Sequence, residues 1–164
     1  MANKKITDLA ELTAAASDDY LEIVDTSVNT SKKISRENLT GWHFLTSPLT
    51  STAWDGDAFS TTGKTLIDLS VVFGVPAGIK AVLAQLIARD SGSAASTNIF
   101  FGISPNNTDA SCPVMAVGRG LPNDTMVYST GVCPCDANGD IYYQIVASGS
   151  GTMDCWIRIW GYWL

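Results

Sequence analysis

The stretch that decides the fold runs from Ile141 to Trp163 and reads IYYQIVASGSGTMDCWIRIWGYW. It is two apolar runs, Ile141 to Ala147 and Met153 to Trp163, separated by Gly and Ser, the punctuation expected between short strands. If the second run is extended, Cys155, Ile157 and Ile159 share one face, and Trp156, Arg158, Trp160 and Tyr162 share the other. The first face suits a core. The second sets an arginine among tryptophans, a pattern that suits cation-π stacking, packing against another subunit, or contact with flat sugar rings.

Working outward, the same grammar repeats. Asn98 to Ile103, Pro113 to Arg119 and Thr125 to Val132 read as further strands, divided by Gly, Pro, Asn and Asp clusters. Ile67, Leu69 and Val71 alternate with Asp68 and Ser70 as a strand does, until Phe73-Gly74-Val75-Pro76-Ala77-Gly78 breaks the run. Ile79 to Arg89 (IKAVLAQLIAR) carries Val82, Leu83, Leu86 and Ile87 at helical spacing, yet also suits a strand buried on both faces. We read it as a strand. The whole predicts an all-β fold, an antiparallel sandwich or barrel over residues 42–164.

The first 41 residues differ in kind. They carry five of the chain's 10 basic and seven of its 16 acidic side chains. A boundary near Gly41 follows. Ile6, Leu9 and Leu12 form one apolar stripe too short for a stable free helix. Tyr20 to Val24 and Lys32 to Ile34 flank a polar loop as a small hairpin would, and Ser35 is placed to cap a helical turn reaching Leu39. Two short strands are marginal alone, so this segment is expected to dock on a partner.

Charged residues make up 16% of the 164-residue chain, against roughly 25% in ordinary soluble proteins, and the net charge is -6 without blocks of like charge. Nucleic acid and membranes are therefore not expected partners. Met-Ala-Asn-Lys-Lys at the start leads into no apolar stretch, so we expect a chain made in a cytoplasm, its Cys112, Cys133, Cys135 and Cys155 kept as thiols. Cys133-Pro-Cys135 resembles half a zinc site, but without a CxxC pair and with His43 the chain's single histidine, buried thiols are the expectation.

The other candidate chemistry is thin. His43, between Trp42 and Phe44, has no nucleophile pattern near it and is expected to pack or hydrogen-bond. Asp55 and Asp57 pair two carboxylates, although Trp54-Asp55-Gly56-Asp57 reads more simply as a tight turn. Asp136, Asn138 and Asp140 alternate as calcium loops do, without the downstream bidentate acid, and Asn138-Gly139 is a strong hairpin-turn signal. We expect no catalytic site, cofactor or metal.

Two sets of short elements carry a family resemblance. Lys5-Ile6-Thr7-Asp8-Leu9, Asp18-Asp19, Ile23-Val24-Asp25, Lys32-Lys33-Ile34 and Asn38-Leu39, in that order, resemble the N-terminal attachment segment of bacteriophage tail-fibre and head-fibre proteins. Val75 to Gly78, Asp136 to Asp140 and Ile159 to Trp163 resemble turns and endings of phage virion domains. The resemblance implies a jelly-roll-like β-domain, often a homotrimer, in a virion. It also implies docking on capsid, neck or tail through a segment whose apolar residues are Ile6, Leu9, Leu12, Ile23, Val24, Ile34 and Leu39. The chain has no repetitive shaft, which favours a compact spike, head fibre, decoration or adaptor. The alternative expectation is a lectin-like module reading a host surface glycan through Trp156, Arg158, Trp160 and Tyr162.

Overall fold

The computed structural model describes residues 20–25, 30–35, 41–54, 56–95, 98–108 and 111–164. The chain divides into two compact units, Met1–Gly41 and Trp42–Leu164. In the first unit, β1 (Tyr20–Asp25) and β2 (Thr30–Ser35) pair antiparallel, Tyr20 opposite Ser35 and Asp25 opposite Thr30. This is the hairpin that the two flanking runs predict. Ile23 and Val24 lie on β1 and Ile34 on β2, whereas Ile6, Leu9, Leu12, Leu39 and the turn after Ser35 lie outside the described residues.

The second unit is an antiparallel β-sandwich. Its strands are β3 (Trp42–Leu49), β4 (Gly56–Phe59), β5 (Thr65–Ile67), β6 (Ala81–Asp90), β7 (Asn98–Ser104), β8 (Val114–Arg119), β9 (Val127–Pro134), β10 (Ile141–Val146) and β11 (Met153–Trp163). One sheet has the order β3-β11-β6-β9, with the short β4 also on β11, and the other the order β5-β10-β7-β8. Setting β4 aside, the first strand pairs with the last, the second with the second to last, and so inward: β3–β11, β5–β10, β6–β9, β7–β8. A long hairpin rolled up so that successive pairs fall in alternate sheets is the jelly roll.

The alternation read from the sequence builds the core. Cys155, Ile157 and Ile159 of β11 face Ala88, Leu86 and Ala84 of β6, all nearly or fully buried. Phe101 and Ile103 of β7 and Ile145 of β10 close the layer from the other sheet, with no exposure. Trp54 fills one end, 5.4 Å from the Phe101 ring and 4.8 Å from that of Tyr143. The segment with helical spacing, Ile79 to Arg89, is indeed mostly strand, because β6 is paired on both sides and a helix there would forfeit two ladders of backbone hydrogen bonds.

Three local expectations are corrected. The alternation from Ile67 to Val71 is not one strand. β5 stops at Ile67, and α1 (Leu69–Phe73) follows: the Asp68 carboxylate accepts from the Val71 N–H at 3.0 Å, and Gly74 closes the turn at φ 71°. Leu69 and Phe73, one turn apart, are buried, while Val71 is 79% exposed. Gly56 and Asp57 belong to β4 and not to a turn, with Gly56 buried beneath the Phe59 ring, where a side chain would overlap it. Asp55 and the Asp57 side chain lie outside the described residues. Finally, Asp136 to Asp140 is a tight turn but no hairpin, since β9 and β10 belong to different sheets.

Candidate interaction face

The outer face of the β3-β11-β6-β9 sheet carries Trp156 and Arg158, two of the residues singled out at the chain's end. Register sets them in rows across the strands. Trp156 stands opposite Ile87, and Ile87 opposite Tyr128; two residues along, Arg158 stands opposite Gln85, and Gln85 opposite Thr130. An aromatic row therefore lies beside a polar one. Next to the aromatic row, the Arg89 Nε donates to Asp154 Oδ2 at 2.6 Å, and the Arg89 guanidinium sits 5.7 Å from the centre of the Trp156 ring. The cation over Trp156 is thus Arg89, where the strand pattern alone suggested Arg158. Arg158 itself is exposed, and no carboxylate pairs with it among the described residues.

Two clefts flank these rows. One, of about 260 Å³, is lined by Thr50, Ser51, Thr52, Trp156, Ile157 and Arg158. The other, of about 160 Å³, is lined by Ile87, Met126, Tyr128, Trp156 and Arg158. Trp156 and Arg158 border both. Of the residues that these clefts add, Tyr128 is 60% exposed and Met126 43%.

Further along β11 the simple alternation fails. A β-bulge between Ile159 and Gly161 leaves Trp160 as the extra, half-buried residue and shifts everything after it by one. Tyr162 then faces inward: it lies opposite Val82, which is fully buried, and opposite His43, whose ring stacks on its own at 5.2 Å. The expectation that Tyr162 shares a face with Trp156 is overturned, because period-two alternation holds only while the ladder stays in register. Trp163 takes the outer position instead, beside Trp42 at 5.6 Å, and Trp42 stacks on Phe44 at 5.9 Å. Phe44 is 73% exposed and Trp163 44%, so this aromatic cluster, and not Trp160 with Tyr162, carries the exposed rings at this end of β11. The sequence held a signal for it. Trp42 and Phe44 alternate at the start of the first sandwich strand, and in a jelly roll the first and last strands are neighbours.

The remaining candidates fall into structural roles. Asp136 Oδ1 accepts from the N–H groups of Asn138 and Asp140, both at 2.9 Å, and Asp140 Oδ1 accepts from the N–H of Leu69 at 3.1 Å. These oxygens tie the β9–β10 turn to the start of α1. Burial, with Asp68 and Asp136 nearby, raises the Asp140 carboxyl above the ordinary carboxylate value despite the Leu69 bond. Cys112, Cys133 and Cys155 are buried and Cys135 half-buried, all as free thiols. Burial pushes Cys133 and Cys135 up to about 12, and raises Cys112 and Cys155 as well. His43 packs on Tyr162, as expected of it, while its buried Nε2 finds no hydrogen-bond partner among the described residues. Among the described residues no three His, Cys, Asp or Glu side chains gather as a metal site would require, and no helix is long and apolar enough to cross a membrane. No protein-family model matches the chain, and no relative is found among curated proteins.

Proposed function

We propose that this protein is a non-enzymatic structural component of a bacteriophage virion: a short fibre, spike, decoration or adaptor. The observation that carries this reading is the division of the chain into a charge-rich N-terminal unit with a small hairpin and a separate jelly roll. A two-stranded hairpin has little core of its own and gains stability by docking, so the first unit serves as the attachment point on capsid, neck or tail. The jelly roll is then displayed outward. Its exposed Trp42–Phe44–Trp163 cluster favours self-association, since contiguous large aromatics on a surface are covered in stable assemblies, and three-fold symmetry follows the fibre resemblance. Antibody raised against residues 42–164 should label purified particles of the encoding phage at one regular position. Particles free of the protein would refute the proposal.

A second reading, compatible with the first, is a lectin-like module for a host surface glycan. The pair of clefts meeting at Trp156 and Arg158 favours it, because an aromatic wall beside hydroxyl and guanidinium donors is what a sugar ring needs.

A further inference from the structure

We infer that the face around Trp156 and Arg158 binds an acidic saccharide, with the Arg158 guanidinium reading the sugar's carboxylate. The inference rests on the lectin-like reading and adds the class of sugar and the residue that selects it.

Three observations converge. First, Arg158 is an exposed guanidinium to which the described residues offer no carboxylate, whereas its neighbour Arg89 is held by Asp154 and by the face of Trp156. In a chain of net charge -6, an arginine that pairs with no carboxylate among the described residues and stands between two clefts is a local anchor for a single anionic group. Guanidinium and carboxylate match as two parallel hydrogen bonds. Second, the rows are spaced for a ring and its acid group. The aromatic row Trp156–Ile87–Tyr128 and the polar row Arg158–Gln85–Thr130 lie two residues apart, about 7 Å along the strands. A pyranose resting on the first reaches the second with its exocyclic carboxylate, while Thr50, Ser51 and Thr52 supply hydroxyls at the rim of the larger cleft. Third, the topology disfavours a peptide. Trp156 and Arg158 stand on β11, which is flanked by β3 or β4 on one side and β6 on the other, so the backbone of the strand that carries them is already paired and a chain could extend this sheet only at its edges, β3, β4 and β9. Only side chains are available there, which suits a ligand rich in hydroxyls.

The test uses the full-length protein. Tryptophan fluorescence and calorimetry follow titration with oligogalacturonate and with a sialylated oligosaccharide, each beside its carboxyl-reduced counterpart, which keeps the ring and loses the charge. We expect at least one acidic sugar to bind, its reduced form to bind at least about tenfold more weakly, and Arg158→Gln to abolish that difference. Arg158 is exposed, so this variant is expected to fold; Trp156→Ala should weaken both forms, with circular dichroism checking that it too is folded. Equal binding of acidic and reduced forms, or discrimination that survives Arg158→Gln, overturns the inference and leaves the lectin-like reading standing. Absence of binding by every sugar overturns both.

Discussion

At the scale of single residues, Asp90 is the side chain that ties the turn after β6 to the loop between β10 and β11. It is fully buried at the end of β6, and its carboxylate accepts from the N–H of Gly92 at 2.7 Å, the N–H of Ser148 at 2.8 Å, the Ser148 hydroxyl, and the Thr152 hydroxyl at 3.1 Å. Burial acts to raise this carboxyl, but the bonds from Ser148, Gly92 and Thr152 outweigh it and hold it below 3.8. Its stabilising contribution is therefore complete above the unfolded-state value and is lost as pH falls through the lower folded one. Asp90→Ala should cost about 3 kcal/mol at neutral pH, by leaving buried donors unpaired, and the gap from wild type should narrow as acid protonates the native carboxylate. Urea melts at neutral and acidic pH measure both. Gly139 is a second sensitive position: at φ 93°, an added Cβ would lie 2.8 Å from the backbone nitrogen of Gly78 and 2.9 Å from that of Ile79. Gly139→Ala should cost about 1–3 kcal/mol in the same melts. The thiols give a third check. With Cys133 and Cys135 raised to about 12 and Cys112 and Cys155 buried, a disulfide reagent at mildly alkaline pH should label the native protein slowly and all 4 cysteines once it is unfolded. Rapid labelling of the native protein would contradict the burial described here.

At the scale of elements, the bulge at Trp160 decides which aromatics are buried. Deleting Trp160 removes the extra residue and leaves a regular ladder in which Tyr162 still lies opposite Val82 and Trp163 opposite Ala81, and Trp160→Ala keeps the same pairing. The deletion should therefore lower the thermal midpoint about as little as the substitution; a far larger loss on deletion would mean that Trp160 is not the extra residue of this ladder. This element also marks the limit of what the sequence makes legible. Strands whose inward residues alternate cleanly, such as Cys155-Ile157-Ile159, were readable because burial imposes a period of two. Alternation over three residues, Ile67-Leu69-Val71, did not separate a strand from a capped turn of helix; Asp68 and Gly74, a residue for each end, were the better signal. The bulge leaves no mark in composition, so alternation alone sets Tyr162 on the wrong face. Of the candidate face, Trp156 and Arg158 were legible on their own strand. Thr50–Thr52, Tyr128 and Met126 were not, because they arrive from other parts of the chain through pairings that only the fold determines.

At the scale of the molecule, the jelly roll holds the buried core described here and should fold without the first unit. A chain of residues 42–164 is expected to show one cooperative thermal transition. Self-association through the exposed cluster should appear in light scattering as a trimer at micromolar concentration, and Phe44→Ser with Trp163→Ser should reduce it to a folded monomer. A wild-type monomer would end the subunit-contact reading of that cluster and leave the virion role to the attachment unit alone. The most direct test of that role is to complement a phage lacking this gene with either the full chain or residues 42–164, then measure copies of each on purified particles. The full chain should be recovered on the particles and the truncated one should remain in the unassembled fraction; truncated protein on the particles at normal copy number would contradict the account.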